Sequence, residues 1–305
     1  MRIRPVHLSA ALVAVCAAAL IWVEWGRQGL DTSDAALVAS LPTRGAVTAF
    51  VDVQALRVSG VLQLLADSKA AQETDYKTFV EETRFDYTSD LDSILAAFQD
   101  GKTSFLLRGR FDWDQLRRHA VGKGATCTNG FCTVETRRPG RYLSFFTLAP
   151  NILALAVSDS QWGAYVMKEK RDTGGFQPPK EPAWVSIGAD LLREPGALPD
   201  GVKAFARSLE GASRATIALA SRGDGFRAAL TAECASEDQA RLVKKQLEEV
   251  TELLKKFLAR AHQKPNPADI SGVLAEGSFE VEGRRVLGGW PIERSFLQRL
   301  AEGSL

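Results

Sequence analysis

Two cysteines, Cys127 and Cys132, flank an Asn-Gly pair in the stretch ATCTNGFCTVE and could form a disulfide, a metal site or a redox centre. Asn-Gly favours a two-residue type I′ hairpin turn, because both central positions of that turn need positive φ. With such a turn, Cys127 faces Cys132 in a non-hydrogen-bonded pair, whose Cα atoms approach to about 4.5 Å. A disulfide can bridge that distance, so the spacing predicts a bond that pins one hairpin.

The alternatives at these cysteines have less support. A zinc site needs four ligands, usually with a second Cys or His pair. The other candidates are unpaired along the chain, namely Cys16, Cys234, His7, His119 and His262. The spacing is also not C-x-x-C, so the thioredoxin-like redox motif is absent. We therefore expect no metal ion and no cofactor, and two unlinked cysteines are the alternative to the disulfide.

Motifs of known catalytic sites are missing from the sequence. G-x-S-x-G, H-E-x-x-H and S-x-x-K sets do not occur in their proper context. The triplet Gly101-Lys102-Thr103 lacks the earlier glycine of a phosphate-binding loop, since Ala96 stands at that position. The sequence assigns no catalytic residue and favours a non-catalytic protein. A hydrolase with paired carboxylates is the enzyme alternative, and its candidate acids are Asp86, Asp90, Asp92, Asp112 and Asp114.

The N-terminal segment, residues 1–25, is typical of a signal-anchor transmembrane helix. Arg2 and Arg4 precede an uncharged run from Leu8 to Val23, and tryptophans stand at its far end. A cleavable signal peptide is the alternative. In both cases the positive-inside rule places residues 26–305 outside the cytoplasm. An oxidising compartment there would maintain the predicted disulfide.

Composition predicts a globular body behind this segment. The chain has 305 residues, of which 45% are hydrophobic and 25% charged, and this is ordinary for a soluble domain. Its 38 basic and 37 acidic residues give a net charge of +1. A protein that binds nucleic acid usually shows a basic excess, so we expect no nucleic-acid partner.

A recurrence along the chain indicates two tandem units. Two L-R-x-x-G segments begin at Leu56 and Leu192, and each follows a predicted strand. A stretch rich in Gly and Pro separates them. The predicted organisation is an anchor, a tether with a short helix, a first α+β unit, a linker and a second α+β unit, with bounds 1–25, 26–43, 44–170, 171–182 and 183–305.

Helix-start signals and hairpins define the fold class. Asp112, Ser158 and Ser236 each follow an apolar run and stand three residues before a Gln, which is the capping-box spacing. Predicted hairpins alternate with these capped helices. The pattern predicts an α+β fold of antiparallel sheets covered by helices on one face. The predicted architecture is two tandem layers, each made of a sheet and its helices. Ferredoxin-like repeats are one such arrangement.

The longest helix is predicted from Glu237 to Ala261. Its apolar residues recur every three or four positions on one stripe. A helix that lies across a sheet explains this stripe, and a partner-binding or dimerising face is the alternative. The residues of that face are Val243, Leu247, Val250, Leu254 and Phe257.

Three stretches of the sequence carry a resemblance. The first is LPTRGAVTAFVDVQALR at residues 41–57, an apolar strand followed by Leu-Arg, and the others are FDY at 85–87 with DLD at 90–92, and RGRFDW at 108–113. Together they resemble a group of uncharacterised bacterial proteins with an N-terminal anchor and an extracytoplasmic body. The resemblance covers about the first half of the body. It implies a cell-envelope setting, and no activity, cofactor or catalytic residue.

The expected function follows from this setting. We predict a single-pass protein of the bacterial inner membrane whose C-terminal body is periplasmic and has a non-catalytic binding or structural role in the cell envelope. Its expected partners are the lipid bilayer, through residues 8–25, and a protein or another envelope component. A secreted binding protein, released by signal-peptide cleavage, is the alternative to the anchored form.

Overall fold

Antiparallel strands dominate the structure, with side chains that alternate between the two faces of one sheet. The computed structural model describes residues 31–59, 62, 74–99, 101–173, 175–193, 200–222 and 225–302. The strands in these residues are β1 Val47–Asp52, β2 Leu91–Gln99, β3 Lys102–Gly109, β4 Thr126–Thr128, β5 Phe131–Glu135, β6 Tyr142–Ala149, β7 Ile152–Ser158, β8 Ala183–Gly188, β9 Ala212–Arg222, β10 Gly225–Cys234, β11 Ser278–Glu282 and β12 Arg285–Ile292.

Helices connect the strands, and most of them follow β1, β3, β8 or β10. The helices are α1 Asp34–Ser40, α2 Val53–Val58, α3 Thr74–Thr83, α4 Tyr87–Asp90, α5 Trp113–Gly122, a 3₁₀ helix Gly163–Lys168, α6 Ala189–Arg193, α7 Asp200–Ser208, α8 Glu237–Arg260, α9 Ile270–Ala275 and α10 Arg294–Glu302.

All the described strands belong to one sheet in the order β11-β12-β10-β9-β8-β1-β2-β3-β7-β6-β5-β4. Every neighbouring pair is antiparallel. The α+β class is therefore confirmed. The sheet is continuous, because β1 pairs with β2 on one side and with β8 on the other.

The strand order has the same pattern on both sides of the β1–β8 junction. From the junction outward it reads β1-β2-β3-β7-β6 on one side and β8-β9-β10-β12-β11 on the other. Helices follow the first and the third strand of each series. Leu56 and Leu192, which open the two L-R-x-x-G segments, are both buried in the helix after the first strand. The first side adds β4 and β5 at its outer edge.

Alternation along the strands builds a core on each face of the sheet. Phe50 lies opposite Leu95 and Val51 opposite Ile94, so neighbouring residues of β1 point to opposite faces. The Phe50 face packs against α1 and the 3₁₀ helix, with Met167 fully buried. The Val51 face packs against α2 and α3. Helices α6 to α10 cover the same face over the second series of strands.

Helix α1 lies in the segment predicted as a tether. Ser33 caps it, since its Oγ accepts a hydrogen bond from the Ala36 N–H. Leu37 and Val38 are buried in the core on the Phe50 face. The C-terminal part of that segment therefore packs against the folded body. In the predicted linker, the described residues of 171–182 form no helix or strand.

The long helix α8 begins and ends within one residue of its prediction. The Ser236 Oγ accepts from the Gln239 N–H at 3.2 Å, as the capping signature predicts. Val243 and Leu247 are fully buried against the sheet, so this part of the predicted partner face is occupied by the core. Val250 and Leu254 pack partly against the same core, whereas the side chain of Phe257 is 66% exposed.

Two other capping predictions have different outcomes. The Asp112 carboxylate accepts from the Gln115 N–H at 3.0 Å and caps α5, as predicted. Ser158 does not cap an α-helix. Its Oγ accepts from the Ser160 N–H in a local turn, and a 3₁₀ helix follows instead, starting at Gly163.

None of the helices in the described ranges is long and apolar enough to cross a membrane. The predicted anchor, residues 1–25, lies outside the described residues.

Candidate functional site

The predicted disulfide joins Cys127 and Cys132, whose Cα atoms are 4.1 Å apart. Thr128 pairs with Phe131 around a turn in which Asn129 has a φ of 50° and its glycine neighbour one of 78°. These values match the positive φ that a type I′ turn needs. Cys132 lies opposite Phe145, on the sheet face that packs against α5. Because Cys127 belongs to β4 and Cys132 to β5, the bond holds the short edge strand β4 to β5.

The candidate carboxylates of a hydrolase have local structural partners. Asp112 caps α5, and Asp114 on the first turn of that helix pairs with Arg117. Asp90 and Asp92 both lie near the Arg110 guanidinium, at 3.2 and 3.9 Å. Capping and ion pairing account for these positions without a catalytic role. The hydrolase hypothesis stays an untested prediction.

Asp86 has the most polar surroundings of the candidate acids. It accepts hydrogen bonds from the Tyr76 hydroxyl at 2.9 Å and from the Thr88 N–H and hydroxyl at 2.8 and 2.7 Å. Burial raises the pKa of Asp86, but the hydrogen bonds from Thr88 and Tyr76 outweigh it and hold the pKa below its usual value. The carboxyl is thus ionised at neutral pH, opposite to what a general acid needs.

His119 packs against the protein body, although charged residues precede it in the sequence. Its side chain is 16% exposed, and its Nδ1 lies 2.5 Å from the Glu82 carboxylate. The ring also meets Phe79 edge to face. Within the described residues, no three His, Cys, Asp or Glu side chains come together as a metal site. Cys234 is a buried free thiol.

A groove that the sequence did not predict lies on the other face of the disulfide hairpin. Thr126 lies opposite Thr133, which lies opposite Ser144 across β5 and β6. The Ser144 Oγ accepts from the Ala164 N–H at 2.9 Å, so these residues share the face that carries the 3₁₀ helix. Alternation places a row of side chains on that face, and they form the floor of the groove: Thr126, Thr128, Phe131, Thr133, Glu135 and Tyr142.

Aromatic side chains form the wall of this groove. Trp162 stacks on Phe131 with ring centroids 5.0 Å apart, and Tyr165 meets Phe131 edge to face at 6.3 Å. Both wall rings face solvent, with exposed fractions of 62% for Trp162 and 49% for Tyr165. The Lys168 ammonium lies 4.4 Å from the Tyr165 ring. Floor and wall, with Gln161, enclose a cleft of about 700 Å³ that we call the hairpin groove.

The polar groups along the hairpin groove include a buried hydroxyl and one carboxylate. The Thr133 Oγ1 is buried and has no hydrogen-bond partner in the described part of the chain, which is costly for a buried hydroxyl. Glu135 is the single carboxylate in the described lining, and it accepts from the Gly140 N–H at 2.9 Å. Acid–base hydrolysis of a glycoside needs two carboxyl groups. The described lining of the hairpin groove therefore contains one carboxyl group and not the two that this reaction needs.

A second hollow lies on the other side of the aromatic wall. Trp162 and Tyr165 line both clefts, so their rings form a ridge between them. The second hollow has a volume of about 420 Å³. Lys102 and Asp159 pair at 3.2 Å on its rim, and this contact lowers the pKa of the Asp159 carboxyl. A ligand longer than one cleft could therefore cross the ridge and contact both.

Comparisons with known proteins give no family. No protein-family model matches the chain, and no curated protein does. Three crystal forms of the treponemal protein TP0453, which are forms I, IV and III, match with TM-scores of 0.47, 0.46 and 0.45 at 12%, 11% and 11% identity. The matches cover 86% of this chain in each case, and 94%, 94% and 95% of the TP0453 chain.

Proposed function

We propose that this protein is a non-catalytic binding ectodomain of the bacterial cell envelope, tethered to the inner membrane through residues 8–25. The hairpin groove is its binding site. The observation that carries the proposal is an exposed aromatic wall over a hydroxyl-rich floor, built on a hairpin that a disulfide pins. The periplasm is a compartment that maintains disulfides, and this supports the extracytoplasmic location.

The body of this ectodomain is, in our proposal, a duplicated α+β unit. The matching strand order on the two sides of the β1–β8 junction supports this, as do the equivalent positions of Leu56 and Leu192. The units differ from ferredoxin-like repeats, because the helices after the first strand join antiparallel neighbours, whereas the helix of a βαβ unit connects parallel strands. The hairpin of β4 and β5 is an addition to the first unit, and an added edge is a common place for a binding function.

Localisation is tested on the full chain in a bacterial host. The anchored form should stay in membranes after a carbonate wash and should be digested by protease added from the periplasmic side. Cys127 and Cys132 should resist alkylation until they are reduced. Recovery of a soluble form cleaved within residues 1–25 would support the secreted alternative. Alkylatable thiols in the exported native protein would contradict the oxidising location.

Binding is tested by sedimentation of the detergent-solubilised full chain with isolated envelope fragments. We expect the wild-type protein to co-sediment and Trp162→Ala to lose about tenfold in affinity, because large exposed aromatic side chains often dominate binding energy. Phe98→Ala is the matched control, since Phe98 is also an aromatic residue, is 43% exposed and does not line the groove. An equal loss of affinity in both variants, or a loss of affinity in the control variant alone, would refute the hairpin groove as the binding site.

A further inference from the structure

The hairpin groove combines two kinds of contact that are rarely adjacent on a protein surface. Its wall presents the Tyr165 ring and the face of Trp162 that Phe131 does not cover, and its floor presents the side chains of Thr126 and Thr128. An aromatic face carries negative electrostatic potential and attracts the polarised C–H bonds of a ring stacked on it. Hydroxyl groups both donate and accept hydrogen bonds. The ligand should therefore have apolar ring faces and polar ring edges.

We propose that the hairpin groove binds a carbohydrate chain. This rests on the function proposed above and names the ligand class of the same site. A pyranose ring has C–H groups on its faces and hydroxyl groups around its edge. Such a ring would stack on the face of Trp162 that Phe131 does not cover, beside the threonine floor. Thr126 and Thr128 line the same groove and would offer their hydroxyl groups to the edge of a neighbouring ring in the chain.

The clefts on both sides of the ridge fit a chain of several sugars. Their volumes, about 700 and 420 Å³, are each within the usual range for sites that hold ligands of drug size. Trp162 and Tyr165 belong to both clefts, so successive rings of one chain would stack on the ridge and continue on each side. A single sugar would use only part of this surface.

The charged side chains around the ridge determine which class of sugar should bind most tightly. Lys168 and the Glu135 carboxylate face the hairpin groove, whereas Lys102, Arg171, Asp159 and Glu169 line the second hollow. Lys102 is paired with Asp159. Lys168 contacts rings and has no ion pair among the described residues. An acidic sugar could pair with Lys168, so acidic chains should bind more tightly than neutral ones at low salt.

A peptide fits the same surface less well. Extended peptides usually add a strand to a sheet edge and use a row of free main-chain groups. The edge strand here, β4, has only three residues. The aromatic wall is also open on two sides instead of forming the closed apolar pockets that hold peptide side chains. A peptide ligand is therefore the competing outcome of the test.

The test uses the full chain in mild detergent with three insoluble probes: chitin, cellulose and purified peptidoglycan sacculi. We expect at least one of them to sediment the wild-type protein, and soluble oligosaccharides of the same polymer to compete. Trp162→Ala and Tyr165→Ala should each weaken binding about tenfold. Thr126→Val and Thr128→Val, which keep the side-chain shape, should each weaken it by about three- to tenfold. Phe98→Ala, at an exposed aromatic residue that lines neither cleft, should bind as the wild type does.

Two further measurements keep the result interpretable. Trp162→Phe retains a ring and should keep more of the affinity than Trp162→Ala, even if removal of the indole disturbs the hairpin. Competition by a peptide digest instead of oligosaccharides would overturn the carbohydrate proposal. The carbohydrate proposal would also be overturned if envelope fragments sediment the wild-type protein but not Trp162→Ala, and none of the three polysaccharides sediments the protein. That result would leave the proposed binding function intact. If neither the envelope fragments nor any polysaccharide sediments the protein, both the carbohydrate proposal and the proposed binding function are refuted.

Discussion

Removal of the hairpin disulfide should cost a small and calculable amount of stability. The bond joins residues that are separated by 5 positions. Chain entropy for a loop of that size gives about 2 kcal/mol. Cys127 is the better of the two cysteines to replace, because Cys132 is fully buried and a serine there would add the cost of a buried hydroxyl. Cys127→Ser should therefore lower the free energy of unfolding by about 2 kcal/mol, without loss of the fold.

Urea unfolding of the full chain, followed by tryptophan fluorescence, measures this difference. Under oxidising conditions Cys127→Ser should unfold at lower urea than the wild type. In the presence of a reductant the two proteins should nearly coincide, since neither then has the bond. Hydrogen exchange at the amides of β4 should rise in the variant, because β4 has only β5 as a strand partner. If both proteins unfold at the same urea concentration under oxidising conditions, the disulfide does not stabilise the fold. A difference in that concentration that persists after reduction would refute the entropic explanation.

Other predictions concern the core, titration and capping. Leu247→Ala should lower the free energy of unfolding by about 2–5 kcal/mol, because its fully buried side chain would leave a cavity. Leu253→Ala on the same helix, 66% exposed, should change it by less than about 0.5 kcal/mol in urea titrations. The lowered pKa of Asp86 stabilises the fold above the unfolded-state pKa, so the stability advantage over Asp86→Asn should disappear as the pH falls through the folded-state pKa. Ser236→Ala should cost about 1 kcal/mol in thermal unfolding, whereas Asp238→Ala, next to the cap and almost fully exposed, should cost much less.

Features set by neighbouring residues were predictable from the sequence. The Asn129-Gly130 turn fixes the register of its hairpin, and the register brings the two cysteines together. The caps at Asp112 and Ser236 likewise depend on a hydrogen bond to a residue three positions away. Such contacts need no knowledge of the rest of the fold, which is why they could be found.

Strand β2 could not be predicted in the same way. Its sequence, LDSILAAFQ, contains Leu, Ala and Gln, which favour helices when considered alone. The residues form a strand because β1 and β3 lie on either side and pair with it along its length. Pairing of this kind overrides local propensity. The union of both units in one sheet was missed for a similar reason, since it depends on pairing between β1 and β8, which are distant in sequence.

The hairpin groove depends on contacts between segments about 30 residues apart, so no local motif encodes it. Trp162 and Tyr165 gave the only available signal. They are large aromatic residues in the stretch SDSQWGAYVMK, for which the capping signature at Ser158 predicts a helix. What the sequence could not supply was the register that turns Phe131 and Thr133 toward the same face as these rings.

The position of β1 has a mechanical consequence for a tethered protein. Tension on the N-terminal segment would reach the body through α1 and then β1, which lies in the middle of the sheet. β1 is bonded to β2 from Val47 to Asp52 and to β8 from Val47 to Val51. A pull along this strand would load hydrogen bonds on both flanks in shear, and many of them would have to break together. A body held in this way should thus resist a pull on its N-terminal end more strongly than it resists peeling from the outer strands β4 or β11.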